Sequence, residues 1–196
     1  MRWIGGIEGA DHVNGRGLAL SMARDGGHLA RLDADYRRLR RMGFDEVRES
    51  VGWRDAEPST GLDLSSVHAR MRAARRHGLD VRWTLMHYGT PEGVDLFDTP
   101  EDDFVARFAA FCAAVAGVVS AYPSVRPHVY TPVNEISFLA WAATSTGLIH
   151  PHLPDHRRDA SALKRRLVRA GVAGCHAIRR VDARALMMWV EPLVHV

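Results

Sequence analysis

Short apolar runs alternate with amphipathic segments, and the runs end in polar, chemistry-bearing residues. That pattern predicts an α/β fold of parallel βαβ units: a (β/α)8 TIM barrel, incomplete here, with about four βα units plus a fifth strand. Three observations carry the prediction. Strand-like runs recur roughly every forty residues, the spacing of a barrel with decorated loops. The segments between them place apolar residues at helical steps of three and four. Polar residues recur where the runs end: Arg48 and Glu49, His87, Asn134 and Glu135, then Glu191. On successive barrel strands, such residues face a common centre at the carboxyl-terminal rim.

Trp3 to Ile7 is the first apolar run, broken by glycines, and Glu8 to Gly17 reads as a polar, glycine-rich loop. Leu32, Tyr36, Leu39 and Met42 form one helical face, and Gly43 stands where a helix ends. Phe44 to Trp53 is the second strand, with Val47 and Val51 apolar. Ser65 or Ser66 caps a helix that runs to His77 and stops at Gly78. Val81 to Met86 is the third strand and delivers His87-Tyr88-Gly89 to a loop. Thr99-Pro100-Glu101-Asp102-Asp103 starts a helix with a cap, a proline and acids in the first turn. Phe104, Phe108, Phe111, Val115 and Val118 then form its core face. Val129 to Glu135 is the fourth strand, Ser161 to Val181 the next helix, and Ala185 to Val190 begins the fifth strand.

The 196 residues suit a single domain, 1–196, with a full core. A complete barrel takes about 250 residues, so the chain is expected to be the N-terminal portion of one. Apolar content of 46% and charged content of 25% are those of a globular protein. The net charge of +3 is small, and the arginines interleave with acids, which argues against nucleic acid as a partner. No run of eighteen apolar residues suggests a membrane span, and Met1 to Gly6 lacks the apolar core of a secretory signal. The two cysteines, Cys112 and Cys175, lie among alanines and read as free thiols, so a cytoplasmic location is expected.

The strand-end residues each admit two readings. Glu135 beside Asn134 offers a carboxyl and an amide to one centre. Arg48 either serves such a centre or pairs with Glu46 or Glu49. His87 is a site residue or a satisfied core histidine, and Trp53 a site wall or core packing. Glu191 is a site carboxylate or a strand-end acid, and Trp141 and Tyr88 are candidates to line the cleft. His150, His152 and His156 cluster loosely without an evident fourth ligand, so no metal is expected.

Taken together, Ile7-Glu8-Gly9, the block Val47 to Arg54, Trp83-Thr84-Leu85-Met86-His87, Thr131-Pro132-Val133-Asn134-Glu135 and His176-Ala177 resemble glycoside hydrolase family 1, the β-glucosidase-like retaining enzymes. The resemblance runs from about Ile7 to His176, with the Asn-Glu block its most specific part. It implies a hydrolase of carbohydrate metabolism acting on β-linked sugars, with a carbohydrate substrate as partner and no cofactor. Glu135 would be the catalytic acid/base. Asn134 would bond the sugar 2-hydroxyl, an interaction that strengthens in the transition state. Arg48 would hold the nucleophile ionised. His87 would bond a sugar hydroxyl, and Trp53 would wall or support that subsite.

Several positions depart from that family's pattern. Gly6 stands in place of a sugar-binding glutamine, Tyr88-Gly89 in place of Trp-Asp, and Ile136 in place of proline. Glu49 is unusual beside Arg48. The family's nucleophilic glutamate belongs to a seventh strand, which these residues do not supply. A retaining mechanism needs two carboxyl groups about 5–5.5 Å apart, so the 196-residue chain alone is expected to be inactive. A non-catalytic carbohydrate-binding or interaction protein on a degenerate barrel is the alternative. A hydrolase of the same clan acting on longer β-glycans is a third reading.

Overall fold

The computed structural model describes residues 3–152 and 159–192. In chain order the elements are β1 (Ile4–Gly6), β2 (Asp11–Val13), β3 (Ala19–Ser21), α1 (Met22–Asp25), α2 (His28–Arg41), β4 (Glu46–Ser50), α3 (Trp53–Ala56) and α4 (Ser65–His77). Then come β5 (Asp80–Met86), α5 (Glu101–Ser120), β6 (Val129–Val133), α6 (Ile136–Trp141) with a π-helical turn at Ala142–Thr146, α7 (Ala160–Val181) and β7 (Leu186–Met187).

Strands β1, β4, β5, β6 and β7 form one parallel sheet in sequence order. Each strand therefore neighbours the next across one helical connection, the arrangement expected of successive βα units. The Glu8–Gly17 stretch read as loop contains β2 and pairs with β3 as a small antiparallel hairpin. Its turn is built by Asn14, whose Oδ1 accepts from the N–H groups of Arg16 and Leu18 at 2.9 and 3.0 Å. An Asx turn of this kind leaves no apolar periodicity to read.

Helix ends follow local chemistry, with two changes from expectation. Gly43 and Gly78 take positive φ after α2 and α4, where a side chain would be strained. Leu64 stands at the cap position of α4, and the Asp63 carboxylate before it accepts the Ser65 N–H at 2.8 Å. Ser66 Oγ is engaged by Arg70 instead. Thr99 accepts the Asp95 N–H at 2.7 Å and so stabilises the preceding loop, while Glu101, Asp102 and Asp103 face the positive end of α5. Asp159 caps α7 by accepting from Ser161 N–H at 2.7 Å.

The core lies between the sheet and its helices. By length and composition α5 could cross a membrane. Here it buries Phe104, Phe108, Phe111, Val115 and Val119 inside the domain. Burial of side chains this size contributes about 1.5–3 kcal/mol each. Helix α7 packs along α5. The approach is close at Gly174, where a Cβ would stand 2.9 Å from Cys112 Sγ. Cys112 and Cys175 are free thiols, and burial pushes the Cys112 thiol well above its ordinary range.

Candidate functional site

The side chains of β4 alternate between two environments, as a strand requires. Val47 and Glu49 turn toward the helices. Glu49 is 1% exposed and accepts from His28 Nε2 at 2.9 Å, Tyr36 Oη at 2.7 Å and Arg70 Nη1 at 3.2 Å. Burial raises its pKa, but His28, Arg70 and Tyr36 together outweigh that and hold the carboxyl below its usual range. Arg70 is itself buried, donates to Ser50 O at 2.5 Å and lies over the Trp83 ring at 5.0 Å. Glu49 is thus a structural carboxylate on the helix side, and Glu46 is paired with Arg82. Arg48 therefore belongs to neither acid.

Arg48 emerges on the opposite face. Its Nε donates to Thr84 Oγ1 on β5 at 3.0 Å, and its Nη2 donates to Asn134 Oδ1 beyond β6 at 2.5 Å. Asn134 is 2% exposed, and its backbone N–H continues the ladder to Met86 O at 3.0 Å. Its Nδ2 donates to Tyr88 Oη at 3.0 Å, and Tyr88 Oη donates to Glu135 Oε2 at 2.5 Å. The carboxyl ends of three adjacent strands thereby carry one hydrogen-bonded row: Arg48, Asn134, Tyr88, Glu135. Glu135 is half-buried at the start of α6, with φ 46°, and Tyr88 has φ 85°. Left-handed backbone at two non-glycine residues of one site is the kind of strain that concentrates where function needs it.

His87 lies beside this row, 7% exposed, with Nδ1 2.9 Å from Ser50 Oγ. Burial lowers its pKa to about 4, against the opposing charge of Glu8 and with the help of Arg48, so the ring is neutral near pH 7. Burial, and then Glu135, push Tyr88 far above the ordinary phenol range. The phenol is a neutral donor at any working pH. A cavity of about 150 Å³ opens beside Tyr88, lined in part by His12, Arg54, Thr90 and Ile149. A separate cavity of about 230 Å³ lies at the amino-terminal ends of the strands. There Asp80 pairs with Arg126 and Glu46 with Arg82, away from the row.

The structure brings Arg48, His87, Asn134 and Glu135 to one rim and corrects the placing of Trp53. Trp53 is fully buried, with its ring 5.0 to 6.0 Å from those of Phe104, Phe108 and Phe111, and its Nε1 donates to Glu57 at 2.7 Å. A side chain with no exposed surface cannot wall a subsite. Gly52, at φ 77°, ends the strand before Trp53, which becomes the first residue of α3. Glu191 accepts the Ser137 N–H at 3.1 Å and so caps α6. Tyr88, a candidate from sequence only to line the cleft, is the central residue of the row; its place directly after a strand-end histidine is the available signal. His152 is bound to Gly147 O and Val13 O, and His156 lies outside the described residues. Among the described residues, no group of three His, Cys, Asp or Glu could hold a metal.

No family model and no curated protein matches this sequence. Solved structures do match. A family 1 β-glucosidase from Thermotoga maritima superposes with a TM-score of 0.71 at 16% identity, over 84% of this chain and 38% of that one. The AHE enzyme from Alicyclobacillus herbarius gives 0.69 at 17% identity, over 82% and 36%. The virulence factor SghA, solved with its substrate analog salicin, gives 0.67 at 16% identity, over 82% and 36%. The chain therefore shares an α/β fold with these structures, among which is a β-glucosidase. The chain spans less than two-fifths of the length of these neighbours.

Proposed function

We propose that this chain carries the acid/base part of a retaining β-glycosidase site, with Glu135 as the acid/base. Asn134 and His87 are the sugar-hydroxyl contacts in this reading, and Arg48 is the cation that orders the amide. The observation that supports it is the hydrogen-bonded row at the carboxyl ends of β4, β5 and β6, where a barrel presents its chemistry. Glu135 would protonate the glycosidic oxygen and then deprotonate the attacking water. The second carboxyl group would come from a later strand of a longer chain.

The test begins with the coding DNA beyond the codon for Val196. The reading expects about three further βα units ending in a strand-end glutamate. The full reading-frame product should hydrolyse aryl β-glycosides. Glu135→Gln should lower turnover of substrates with poor leaving groups by about 10²–10⁴-fold. Turnover untouched by that variant would sink the assignment of Glu135. A frame that stops at Val196 would instead favour the non-catalytic carbohydrate-binding reading. That reading draws support from one observation: Asn134 already has both its side-chain atoms engaged by Arg48 and Tyr88.

A further inference from the structure

The polarity of the row is forced. Arg48 carries only donors, so its bond to Asn134 turns Oδ1 toward the guanidinium and Nδ2 toward Tyr88. Nδ2 donates to Tyr88 Oη, and the phenol proton is left for Glu135 Oε2. One oxygen that accepts from an amide and donates to a carboxyl does what a sugar hydroxyl would do between the same two residues. The ring that holds it is anchored, 4.8 Å from His87 and 5.6 Å from Phe138 between centroids. Tyr88 and Glu135, the two ends of this contact, both take positive φ, a backbone region that non-glycine residues rarely occupy.

We propose that Tyr88 is a specificity-determining residue whose hydroxyl fills the place of the glycone 2-hydroxyl, so that the site selects 2-deoxy-β-glycosides over their 2-hydroxylated counterparts. The inference rests on the glycosidase reading of Asn134 and Glu135. A hydroxylated sugar must displace the phenol or bury its 2-hydroxyl without a partner, and an unpaired buried hydroxyl is costly. A 2-deoxy sugar meets neither penalty. Trimming Tyr88 to phenylalanine keeps the ring and its packing while freeing Asn134 Nδ2 and Glu135 Oε2.

The experiment is an NMR titration of the full reading-frame product, wild type and Tyr88→Phe, with methyl β-D-glucopyranoside and its 2-deoxy analogue. Wild type should bind the 2-deoxy sugar about tenfold more tightly, the discrimination expected when one hydroxyl loses its partners. Tyr88→Phe should erase or reverse that order. Equal affinities in wild type, or a preference that Tyr88→Phe leaves unchanged, would overturn the role of Tyr88 and leave the glycosidase reading standing. Absence of binding to either sugar by either protein would overturn both. Should Tyr88→Phe fail to fold, the order of affinities in wild type alone still decides.

Discussion

Arg48 and Glu49 are neighbours in sequence and belong to two different kinds of polar cluster. Glu49 sits behind the sheet in a closed network: three donors surround it, and every partner is held by packing. Arg48 sits in front of the sheet in an open row that passes Tyr88, which lines a cavity, and ends at a half-buried carboxyl. A closed network spends its hydrogen-bonding capacity on the fold. The open row keeps its last member accessible, which is what chemistry on a ligand requires.

Removing one charge from each cluster should separate them most clearly. Arg70→Met leaves the Glu49 carboxyl buried with its cation gone, and should cost about 3–5 kcal/mol in denaturant unfolding. Arg48→Met deletes two charge-assisted hydrogen bonds at a partly buried position, to Thr84 and Asn134, and should cost about 1.5–3 kcal/mol. Equal losses would erase the distinction drawn between the two faces. Trp53→Ala should match the first variant, at about 3–5 kcal/mol, because it empties a core position. Sugar affinity per folded molecule should not change with it; a specific loss of affinity would return Trp53 to the site.

Acid titration sharpens the same comparison. His87 in the open region has a folded pKa of about 4, below its ordinary 6.5. Its contribution is complete above pH 6.5 and is lost as pH falls from 6.5 toward 4, on the order of 3 kcal/mol. His28 in the closed network shifts the other way: burial lowers its pKa, but Glu49 and Asp35 outweigh that and raise it. Its contribution is complete below pH 6.5 and fades as pH rises through the folded value. Stability profiles of His87→Asn and His28→Asn between pH 4 and pH 8 should therefore change slope in opposite senses. The smallest effect belongs to Glu191→Ala, which uncaps α6 and should cost about 1 kcal/mol in thermal or denaturant unfolding. A much larger loss, or a loss of turnover at constant stability, would make Glu191 more than a cap.

The strands, the long helices and the rim residues Arg48, His87, Asn134 and Glu135 were legible because each leaves a local signature: a run, a period, or a polar residue at a run's end. The hairpin formed by β2 and β3 was not legible, since its turn is held by the Asn14 side chain and its strands are only three residues each. Trp53 admits both a site and a core reading because the bend at Gly52 carries the chain from strand to helix, and nothing in the sequence says which way the indole then points; the structure takes the core reading. Glu49 looked anomalous because its three partners come from α2 and α4, remote in sequence.

By itself the sequence determined the order of parallel βαβ units and the rim at which their polar ends gather. Both follow from short-range periodicity and the strand's two-residue alternation. Only the tertiary structure decided which of those polar groups touch. That Tyr88 closes the row depends on left-handed backbone at positions 88 and 135 and on an amide turned by an arginine on another strand. Those are choices made by neighbours 46 to 86 residues apart in the chain, and only packing settles them.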